Sequence, residues 1–546
     1  MLLPAVAFFC LVPPEMLASG PALCLWRRLL HLAACPACGS TRALAAFFHG
    51  RFRDALAFNH NVLVTAPLLL GMLAVDLFTS IRRIACHSER SEESLFVLAN
   101  LPTIEKRFLA SLRMTCDQAC RAVHRFLPVR TELPAEPLAC WASGFFSLSV
   151  LSILISLAAA QAFLSLSGVV YAVHVLRDRP RINFPPVKLP LALFCLATVV
   201  SVFFATNPTA GWLAVRKLVL FLIILLAVNL VASRKHLVWL YQALFVEAAM
   251  AGIVATWQFV VQYRAVRALY PREIYRYMTS ERIHGFQGHW MNFGGQQMLM
   301  FAAILAMLFL SRLPIPDSRF PREATRSRAI WWWLVLAIVM LSIVLNFTRG
   351  VWLGCVVATL YLVGRWRPRW LWALPVLAVA GYFAAPGMVH RRIAIVGHPS
   401  RDPALAIRLE MWAVGRRMVE LHPWVGVGPN NIAEVYTLYL APGEIPQAGY
   451  RDHLHDNFIQ LAAERGLPCL AAWVWFMTAL VWYSWRIARQ GLEPGWIADG
   501  VVAGWLAFVA EGFFEFNFGT SPVLMLFLFV VSTPFIVERI AKTGRR

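Results

Sequence analysis

The sequence predicts an all-α, polytopic helical membrane protein. Of its 546 residues, 59% are hydrophobic and only 14% are charged, whereas soluble domains carry about 25% charged residues. The mean hydropathy is +0.62. From Phe145 onward, apolar segments alternate with short polar ones, and most of them have roughly the 20 residues that a helix needs to cross a bilayer. Because the hydrocarbon core offers no hydrogen-bonding partner to an exposed backbone, these segments are expected to be helical.

The charge distribution argues against a nucleic-acid partner. The formal net charge is +21, but the charges fall in short loops between apolar segments rather than on one basic face. Basic loops of this kind are what the positive-inside rule expects on the cytoplasmic side of a membrane protein. Membrane lipids are therefore the expected surroundings of the chain.

Changes in composition divide the chain into three parts. Residues 1–78 form a small unit that ends in an apolar segment long enough for a short span. Residues 79–143 are polar and mixed in charge, without a span or a helical stripe, and are expected to form a largely disordered linker. Residues 144–546 form the main membrane domain, with a long polar loop at 386–456.

The first unit contains the motif Cys35-Pro-Ala-Cys38-Gly-Ser-Thr-Arg42-Ala. This motif resembles that of a small membrane domain of unknown function, known by the pattern CPxCGxTRA, and the resemblance covers about the first 75 residues. It implies no reaction. Zinc requires four ligands and a redox dithiol requires a βαβ context, so the two cysteines are interpreted as structural thiols.

The main domain is predicted to contain about twelve membrane helices. The apolar run from Phe145 to Leu176 is too long for one ordinary span and is expected to form two short or bent ones. The remaining spans are expected near residues 188–205, 216–232, 237–262, 291–311, 329–347, 351–364, 369–385, 467–484, 497–515 and 522–538.

Loop charges predict which side of the membrane each loop faces. The arginine-rich short loops all fall on one side when the spans alternate, and that side is predicted to be cytoplasmic. Loops 206–215, 263–290, 386–456 and 516–521, together with the turn around Arg349, lie on the opposite side. Long loops escape the rule, so the arginines in 263–290 and 386–456 do not contradict it. A bound anion would explain them.

Residues 408–466 hold the densest polar chemistry of the apolar part of the chain. A polar segment between membrane spans indicates a reaction site at the bilayer surface. Helical spacing puts Arg408, Trp412 and Gly415 on one stripe beside the apolar stripe of a helix that ends before Pro423. The polar residues of the segment are Arg408, Arg416, Arg417, His422, His453, His455, Asp456, Gln460 and Glu464.

Three fragments of the main domain occur together in one known family. They are ERIHGFQGHWMN at 281–292, NFTRGVWLG at 346–354, and the 408–466 segment with its HPWVGVGPN and HDNFIQ motifs. Together they resemble the O-antigen ligase/polymerase (Wzy/WaaL-type) family of membrane glycosyltransferases, over roughly residues 145–540. The resemblance implies transfer of a glycan from a polyprenyl-diphosphate-linked donor to a hydroxyl of a lipid or glycan acceptor. It also implies inversion at the sugar, no metal or other cofactor, and a site on the periplasmic side of a bacterial inner membrane.

The resemblance also suggests which residues bind the donor. Arg349, Arg408 and, less directly, Arg282 are assigned to the diphosphate, since planar guanidinium groups bind phosphate oxygens in pairs and stabilise the charge that develops on a leaving diphosphate. His453 and Glu464 are further candidates for substrate binding. Glu464 is expected to pair either with an arginine across the cavity or only with Arg465.

His455 is the candidate general base that takes the proton of the acceptor hydroxyl. His453 competes with it, because helical spacing would put His453 on one stripe with Gln460 and Glu464. Spacing alone does not choose between the two histidines. His455 is preferred because it precedes Phe-Ile-Gln at the position of the histidine in the family.

Two classes of function fit this sequence. The first is a glycosyltransferase, which includes a ligase, a polymerase and an oligosaccharide transferase to protein. The second is a non-enzymatic transporter or flippase of lipid-linked sugar. A transporter places charged residues at mid-membrane on discontinuous helices. The predicted spans are nearly free of charge and the polar cluster lies on one face, which favours the enzyme.

Overall fold

The structure is a computed structural model, and it describes residues 136–311, 322–384, 387–394, 403–444 and 452–543, together with Ala46, Arg51 and Asp54. The chain divides into two compact units, Met1–Ala119 and Cys120–Arg546. The CPxCGxTRA motif and the predicted linker up to residue 135 lie outside the described residues. All the elements discussed below belong to the second unit.

The described part of the second unit is built from α-helices and short 3-10 turns, without a strand, so the all-α prediction is confirmed. The helices, numbered in chain order, are α1 (Pro137–Ser152), α2 (Leu157–Asp178), α3 (Lys188–Phe203), α4 (Pro208–Val215), α5 (Leu222–Leu230), α6 (Arg234–Leu269), α7 (Ile274–Ser280), α8 (Trp290–Leu310), α9 (Arg322–Leu345), α10 (Arg349–Trp366), α11 (Ala373–Ala384), α12 (Gly387–Ala394), α13 (Pro403–Leu421), α14 (Ile432–Val435), α15 (Asn457–Arg489), α16 (Gly495–Gly512) and α17 (Ser521–Thr543).

Six helical segments within the described residues are long and apolar enough to cross a membrane. They are α2, the run Pro208–Leu230, α6, α8, α15 and α17. Three shorter apolar helices occur at Pro137–Ser152, Lys188–Phe203 and Ile330–Leu345. Each of the twelve predicted spans overlaps a helix, so the polytopic helical architecture is confirmed, while the number of actual membrane crossings stays a prediction.

The apolar run from Phe145 to Leu176 is divided between two helices, as predicted, but the first begins earlier than expected, at Pro137, inside the predicted linker 79–143. α1 ends at Ser152 and α2 begins after Ser156, whose hydroxyl accepts the backbone N–H of Ala159. The side-chain amides of Gln287 and Gln296 donate to the carbonyl of Ile153 in the bend. These bonds satisfy backbone groups that the break would otherwise leave without partners in an apolar setting.

Two helices form the centre of the bundle. In α8 and α17, 83% of the most apolar window is buried inside the protein, compared with 28% in α2. A helix that is apolar on all sides and buried on all sides belongs to the core. α2 instead exposes apolar side chains such as Val169 and Leu176 on the outer surface of the bundle.

Helix α15 is broken one-third of the way along its length. Gly466 adopts φ 80° and ψ 168°, which no helix residue adopts. Two residues further on, Pro468 has no N–H to donate, and the N–H of Leu467 points away from the helix. The carbonyls of Ala463 and Glu464 therefore lose their partners within the helix.

A loop from outside the bundle replaces those partners. The N–H groups of Val427 and Gly428 donate to the carbonyls of Ala463 and Glu464, both at 2.9 Å, and the carbonyl of Pro423 accepts the N–H of Leu467 at 2.7 Å. The Pro-x-x-Gly-x-Gly loop is thus held by backbone bonds to the broken turn. The break therefore frees backbone groups of α15, and these groups bind the polar segment that follows α13 through hydrogen bonds.

Close backbone contact explains the first glycine of this loop. Gly426 has φ 69°, and a Cβ at this position would lie 2.3 Å from the carbonyl carbon of Glu464. Gly491 has a similar φ of 65° but has no atom within 4 Å of its Cβ position. Substitution of the two glycines therefore distinguishes two contributions to the free energy of unfolding. One is the cost of the backbone conformation, which both share, and the other is the cost of the close contact, which only Gly426 has.

We expect Gly491→Ala to lower the free energy of unfolding by about 1 kcal/mol, because it only forces an alanine into a left-handed conformation. Gly426→Ala should cost clearly more, since the loop and α15 must also move apart. Thermal unfolding of the two purified variants in the same detergent measures the difference. Equal destabilisation would show that the loop is not packed against α15 as described.

Candidate active site

Helix α13 packs on the loops and on the first turns of α15. Met411, Val414 and Met418 of the predicted apolar stripe are buried in a small core that also contains Leu454 and Ala463. This core is separate from the main core of the bundle. Leu421, the last residue of the predicted stripe, is 68% exposed, so the stripe buries its first turns and leaves its end at the surface.

The second predicted stripe of α13 faces the site. A Cβ on Gly415 would lie 2.5 Å from the side chain of Ile459, so only glycine lets α13 approach α15 this closely. The ring centroid of Trp412 lies 6.4 Å from that of Phe514, and the Arg408 Nε donates to the carbonyl of Phe514 at 3.2 Å. The stripe of Arg408, Trp412 and Gly415 therefore contacts the start of α15 and the loop that follows α16.

Glu515, in that loop, is the centre of the polar cluster. Both of its carboxylate oxygens lie 3.1 Å from Nδ1 of His455, and one lies 3.9 Å from an amino group of Arg408. Burial pushes the pKa of Glu515 upward, but the hydrogen bond from His455 and the nearby positive charge of Arg408 are among the interactions that hold it below its usual range. The carboxylate therefore stays ionised in a protein environment with little water.

The contact with Glu515 fixes the chemistry of His455. The carboxylate accepts a hydrogen bond from Nδ1–H, so Nε2 is the ring nitrogen that carries the lone pair of the neutral imidazole. The backbone of His455 has a positive φ of 50°, which is rare for a non-glycine residue and is found where the surroundings impose it. Such an imposed, carboxylate-oriented imidazole has the arrangement of a general base.

His453 lies beside His455 but in a different state. The two ring centroids are 4.3 Å apart at an interplanar angle of 77°. Burial is the main reason that the pKa of His453 falls to about 4, and the neighbouring His455 lowers it further, while Glu515 partly opposes both. His453 is therefore neutral near pH 7 and is a weak base.

The site also contains a group of side chains that could hold a cation. His453, His455 and Glu515 offer one ligand atom each, and these atoms lie within 4.8 Å of one another. Two imidazoles and a carboxylate suit a transition metal such as zinc or iron.

The loop before α8 reaches the same cluster. Burial chiefly lowers the pKa of His289; the charge of Glu515 opposes this shift, while Arg282, His284 and His455 add to it. The side chain of His289 is thus within electrostatic reach of both the loop arginine and the His455–Glu515 pair. His289 lies in a fragment that the sequence analysis singled out, although no role was assigned to it.

Arg282 joins this loop to the turn before α10. Its guanidinium donates to the carbonyl of Thr279 and to the hydroxyl of Thr348, at 2.8 and 3.3 Å, and stacks over the ring of Trp290 at 5.4 Å. The amide of Asn346 adds bonds to the carbonyls that flank the loop. Arg282 therefore organises the turn in which Arg349 sits.

Arg349 opens α10 close to the Glu515 loop. Its neighbour Gly350 would place a Cβ 3.4 Å from the side chain of Glu511 and 4.0 Å from that of Phe514. Phe514 is the residue whose carbonyl binds Arg408. The backbone beside Arg349 and the side chain of Arg408 therefore both approach Phe514. This residue and the bond from Arg282 to Thr348 bring the three fragments together.

A buried amide network holds that stretch in place. Asn457, the first residue of α15, donates to the side-chain oxygen of Asn517 at 2.7 Å and accepts the N–H of Phe518. Asn517 donates in turn to a carboxylate oxygen of Glu511 at 3.0 Å.

Sequence reasoning missed Glu515, Glu511 and Asn517. The available signal was two carboxylates in a predicted span at 497–515, where ionisable residues are functional candidates.

Glu464 is part of the scaffold rather than of the substrate-binding surface. Only 1% of it is exposed, and one carboxylate oxygen accepts the N–H of Asn430 and the amide of Gln460. The other lies 3.7 Å from Nε of Arg465, the second of the two pairings considered. Gln460 also accepts the N–H of Leu454. Glu464 thus links the Gly-x-Gly loop to the segment that carries both histidines.

These features define a class of protein: a helical membrane protein with a His–Glu–Arg cluster around a buried carboxylate at one end of its bundle. Residues 333–474 match the family model described as O-Antigen ligase, which confirms the predicted resemblance to the O-antigen ligase/polymerase family. Residues 24–73 match a second model, described as Protein of unknown function (DUF2752), in the region of the CPxCGxTRA motif. No curated protein matches the chain. The first match supports a ligase- or polymerase-like role in surface polysaccharide biosynthesis.

The state of His453 predicts a pH dependence of stability. An unfolded histidine has a pKa of about 6.5, whereas that of His453 in the fold is about 4. The unfolded chain therefore binds the extra proton between these values, and stability falls as the pH drops from 6.5 to 4. We expect His453→Gln to remove about 2 kcal/mol of the loss between pH 7 and pH 5. Denaturation profiles at both pH values measure it, and an unchanged loss in the variant would contradict the assignment.

Proposed function

We propose that this protein transfers a glycan from a polyprenyl-diphosphate donor to a hydroxyl of a lipid or glycan acceptor. The observation that carries the proposal is the contact of His455 and Arg408 with one buried carboxylate, Glu515. A base that removes a proton and a cation that stabilises a leaving diphosphate are the two groups that this transfer needs. The family match over residues 333–474 supports the same class of reaction.

His455 acts as the general base in this mechanism. Its Nε2 accepts the proton of the acceptor hydroxyl while the hydroxyl oxygen forms a bond to the anomeric carbon. Glu515, which is hydrogen-bonded to Nδ1, stabilises the imidazolium that results. The bond from the anomeric carbon to the diphosphate oxygen breaks, and its electron pair leaves with the polyprenyl diphosphate. One displacement of this kind inverts the configuration at the sugar.

His453 is less suited to the same role. A general base works best with a pKa near the operating pH, and burial lowers the pKa of His453 to about 4. We assign to His453 the packing of the His455 ring, which it contacts edge to face. His453 therefore contributes to substrate binding only indirectly, by holding the ring of His455 in position.

The arginines bind and stabilise the diphosphate. Arg408 is 22% exposed at its side chain and lies at the edge of the cluster, where its guanidinium is able to contact both Glu515 and a bound anion. Arg349 starts a helix beside the same loop, and the N-terminal end of a helix favours negative charge. Arg282 binds Thr348, which immediately precedes α10. Arg282 therefore affects donor binding mainly by positioning the turn that carries Arg349.

A transporter is the less favoured alternative. The broken helix α15 is a feature that transporters use to bind ions or substrate through freed backbone groups. Here, however, the freed carbonyls of Ala463 and Glu464 are occupied by the N–H groups of Val427 and Gly428. The break thus has a structural use that leaves no backbone acceptor there for cargo.

The catalytic assignment predicts a separation of turnover from binding. We expect His455→Ala to lower glycan transfer about 10²–10⁴-fold, the usual contribution of general-base catalysis, and to leave donor-lipid binding nearly unchanged. Arg408→Ala and Arg349→Ala should weaken donor binding as well, and lysine should rescue them poorly because it lacks the planar pair of donors. Purified full-length variants are compared for transfer and for donor binding.

Two variants sharpen this experiment. Arg416→Ala is the matched control, because Arg416 lies on the same helix with its side chain 75% exposed and pairs only locally with Glu420. Glu515→Gln keeps the size of Glu515 and should lower turnover while shifting its pH profile, since the imidazolium loses its counter-charge. Loss of transfer in His453→Ala but not in His455→Ala would reassign the base. The product, an intact glycan on a lipid or an extended polyprenyl-linked glycan, separates ligase from polymerase.

The site is proposed to face the periplasm of a bacterial inner membrane. The positive-inside rule puts the short arginine-rich loops in the cytoplasm and the 403–456 region on the other side. A reporter enzyme that is active only in the periplasm, fused after residue 440, should therefore be active, whereas the same reporter fused after residue 490 should not. Activity in the second fusion alone would overturn the proposed orientation.

A further inference from the structure

A cavity of about 730 Å³ lies at the opposite end of the bundle from the active site. It is formed by the connection between α2 and α3, the end of α5, and the last turns of α15 and α17. α15 begins beside His455, and after its break at Gly466 it runs about 20 residues, roughly 30 Å at 1.5 Å per residue, to reach the cavity. The proposed function does not use this cavity.

The charge of the cavity wall is strongly positive. Its lining includes Arg181, Arg486, Arg539 and Lys542 and a single carboxylate, Glu538. That carboxylate lies 2.8 Å from Nζ of Lys542 and compensates one of the four cations. The lining therefore carries a net excess of positive charge, which favours a bound anion.

The cationic wall is held in place by hydrogen bonds. The guanidinium of Arg539 donates to the backbone carbonyls of Asn229 and Val231. The side chain of Asn229 also pairs with the backbone of Asn183, accepting its N–H at 2.8 Å and donating to its carbonyl at 2.7 Å. These bonds tie the α2–α3 connection, which carries Arg181, to the end of α5. The wall is thus organised before any ligand binds, which reduces the entropic cost of binding.

The remaining wall of the cavity is apolar. Phe184, Val228, Tyr483, Ile487 and Phe535 line it together with two prolines. An inorganic anion would gain nothing from these side chains. A ligand that joins an anionic head to an apolar tail would contact both parts of the wall.

We propose that this cavity binds the phosphate head group of an anionic phospholipid, with the start of its acyl chains against the apolar wall. Basic pockets between membrane helices at the cytoplasmic end bind such head groups. The cavity meets that description in charge and lining, and the orientation proposed above puts it at the cytoplasmic end. The bound lipid would join α15 and α17 to the α2–α3 connection and so stabilise the end of the bundle that lies away from the catalytic cluster.

The test compares two arginines on one helix. Arg486 lines the cavity, whereas Arg489, one turn further along α15, stacks over Trp485 at 4.6 Å and does not line it. Full-length protein is transferred to nanodiscs of phosphatidylcholine with phosphatidylglycerol, and native mass spectrometry counts the phosphatidylglycerol that stays bound after detergent release. We expect Arg486→Gln to lower retention about fivefold, the effect of one cation near a charged lipid. Arg489→Gln should leave it unchanged.

A second pair of variants and a soluble competitor complete the test. Arg181→Gln removes a cation from the cavity on a different element, and together with Arg486→Gln it should abolish retention. Circular dichroism of each variant establishes that the helices are intact. Equal losses in Arg486→Gln and Arg489→Gln would show general surface attraction and overturn the proposal. Displacement of the lipid by millimolar inorganic phosphate would also overturn it, because the site would then recognise a soluble anion.

Discussion

The candidate active site of this protein depends on one buried negative charge. A carboxylate removed from water is costly unless cations and hydrogen-bond donors surround it. The carboxylate of Glu515, with 7% of the side chain exposed, draws His455 and Arg408 towards one point. The same charge orients the imidazole of His455 through Nδ1. Loss of Glu515 would therefore affect both the geometry and the proton chemistry of the site.

This charge is supported by a membrane helix, α15, whose backbone hydrogen bonding is interrupted. At Gly466 and Pro468 the backbone of α15 stops pairing with itself and pairs with the Gly-x-Gly loop instead. Glu464, beneath the break, then connects that loop to the histidine segment through Gln460. Backbone pairing inside an apolar bundle is strongly enforced, because an unpaired group there finds no water. The polar loops consequently have a rigid attachment in addition to the small apolar core that they share with α13.

The two ends of the bundle use arginine for different purposes. Near the active site, Arg408 and Arg349 stand beside a buried carboxylate and a helix start. At the other end, Arg181 and Arg486 line a cavity in which the single acid is already paired. Guanidinium groups suit both places because they are permanently charged and bind phosphate oxygens in pairs. α15 is the element that connects the two regions.

The sequence by itself determined the all-α membrane architecture, the division of the apolar run from Phe145 into two helices, and the stripe of Arg408, Trp412 and Gly415. These features follow from hydropathy and helical periodicity, which are local properties of the chain. The position of the sequence-assigned His455 within a family motif was equally local. Only the tertiary structure showed that Glu515, some sixty residues away, is its partner, and that Glu464 supports the loops. Such pairings join residues distant in the chain, and no local pattern encodes which buried carboxylate meets which cation.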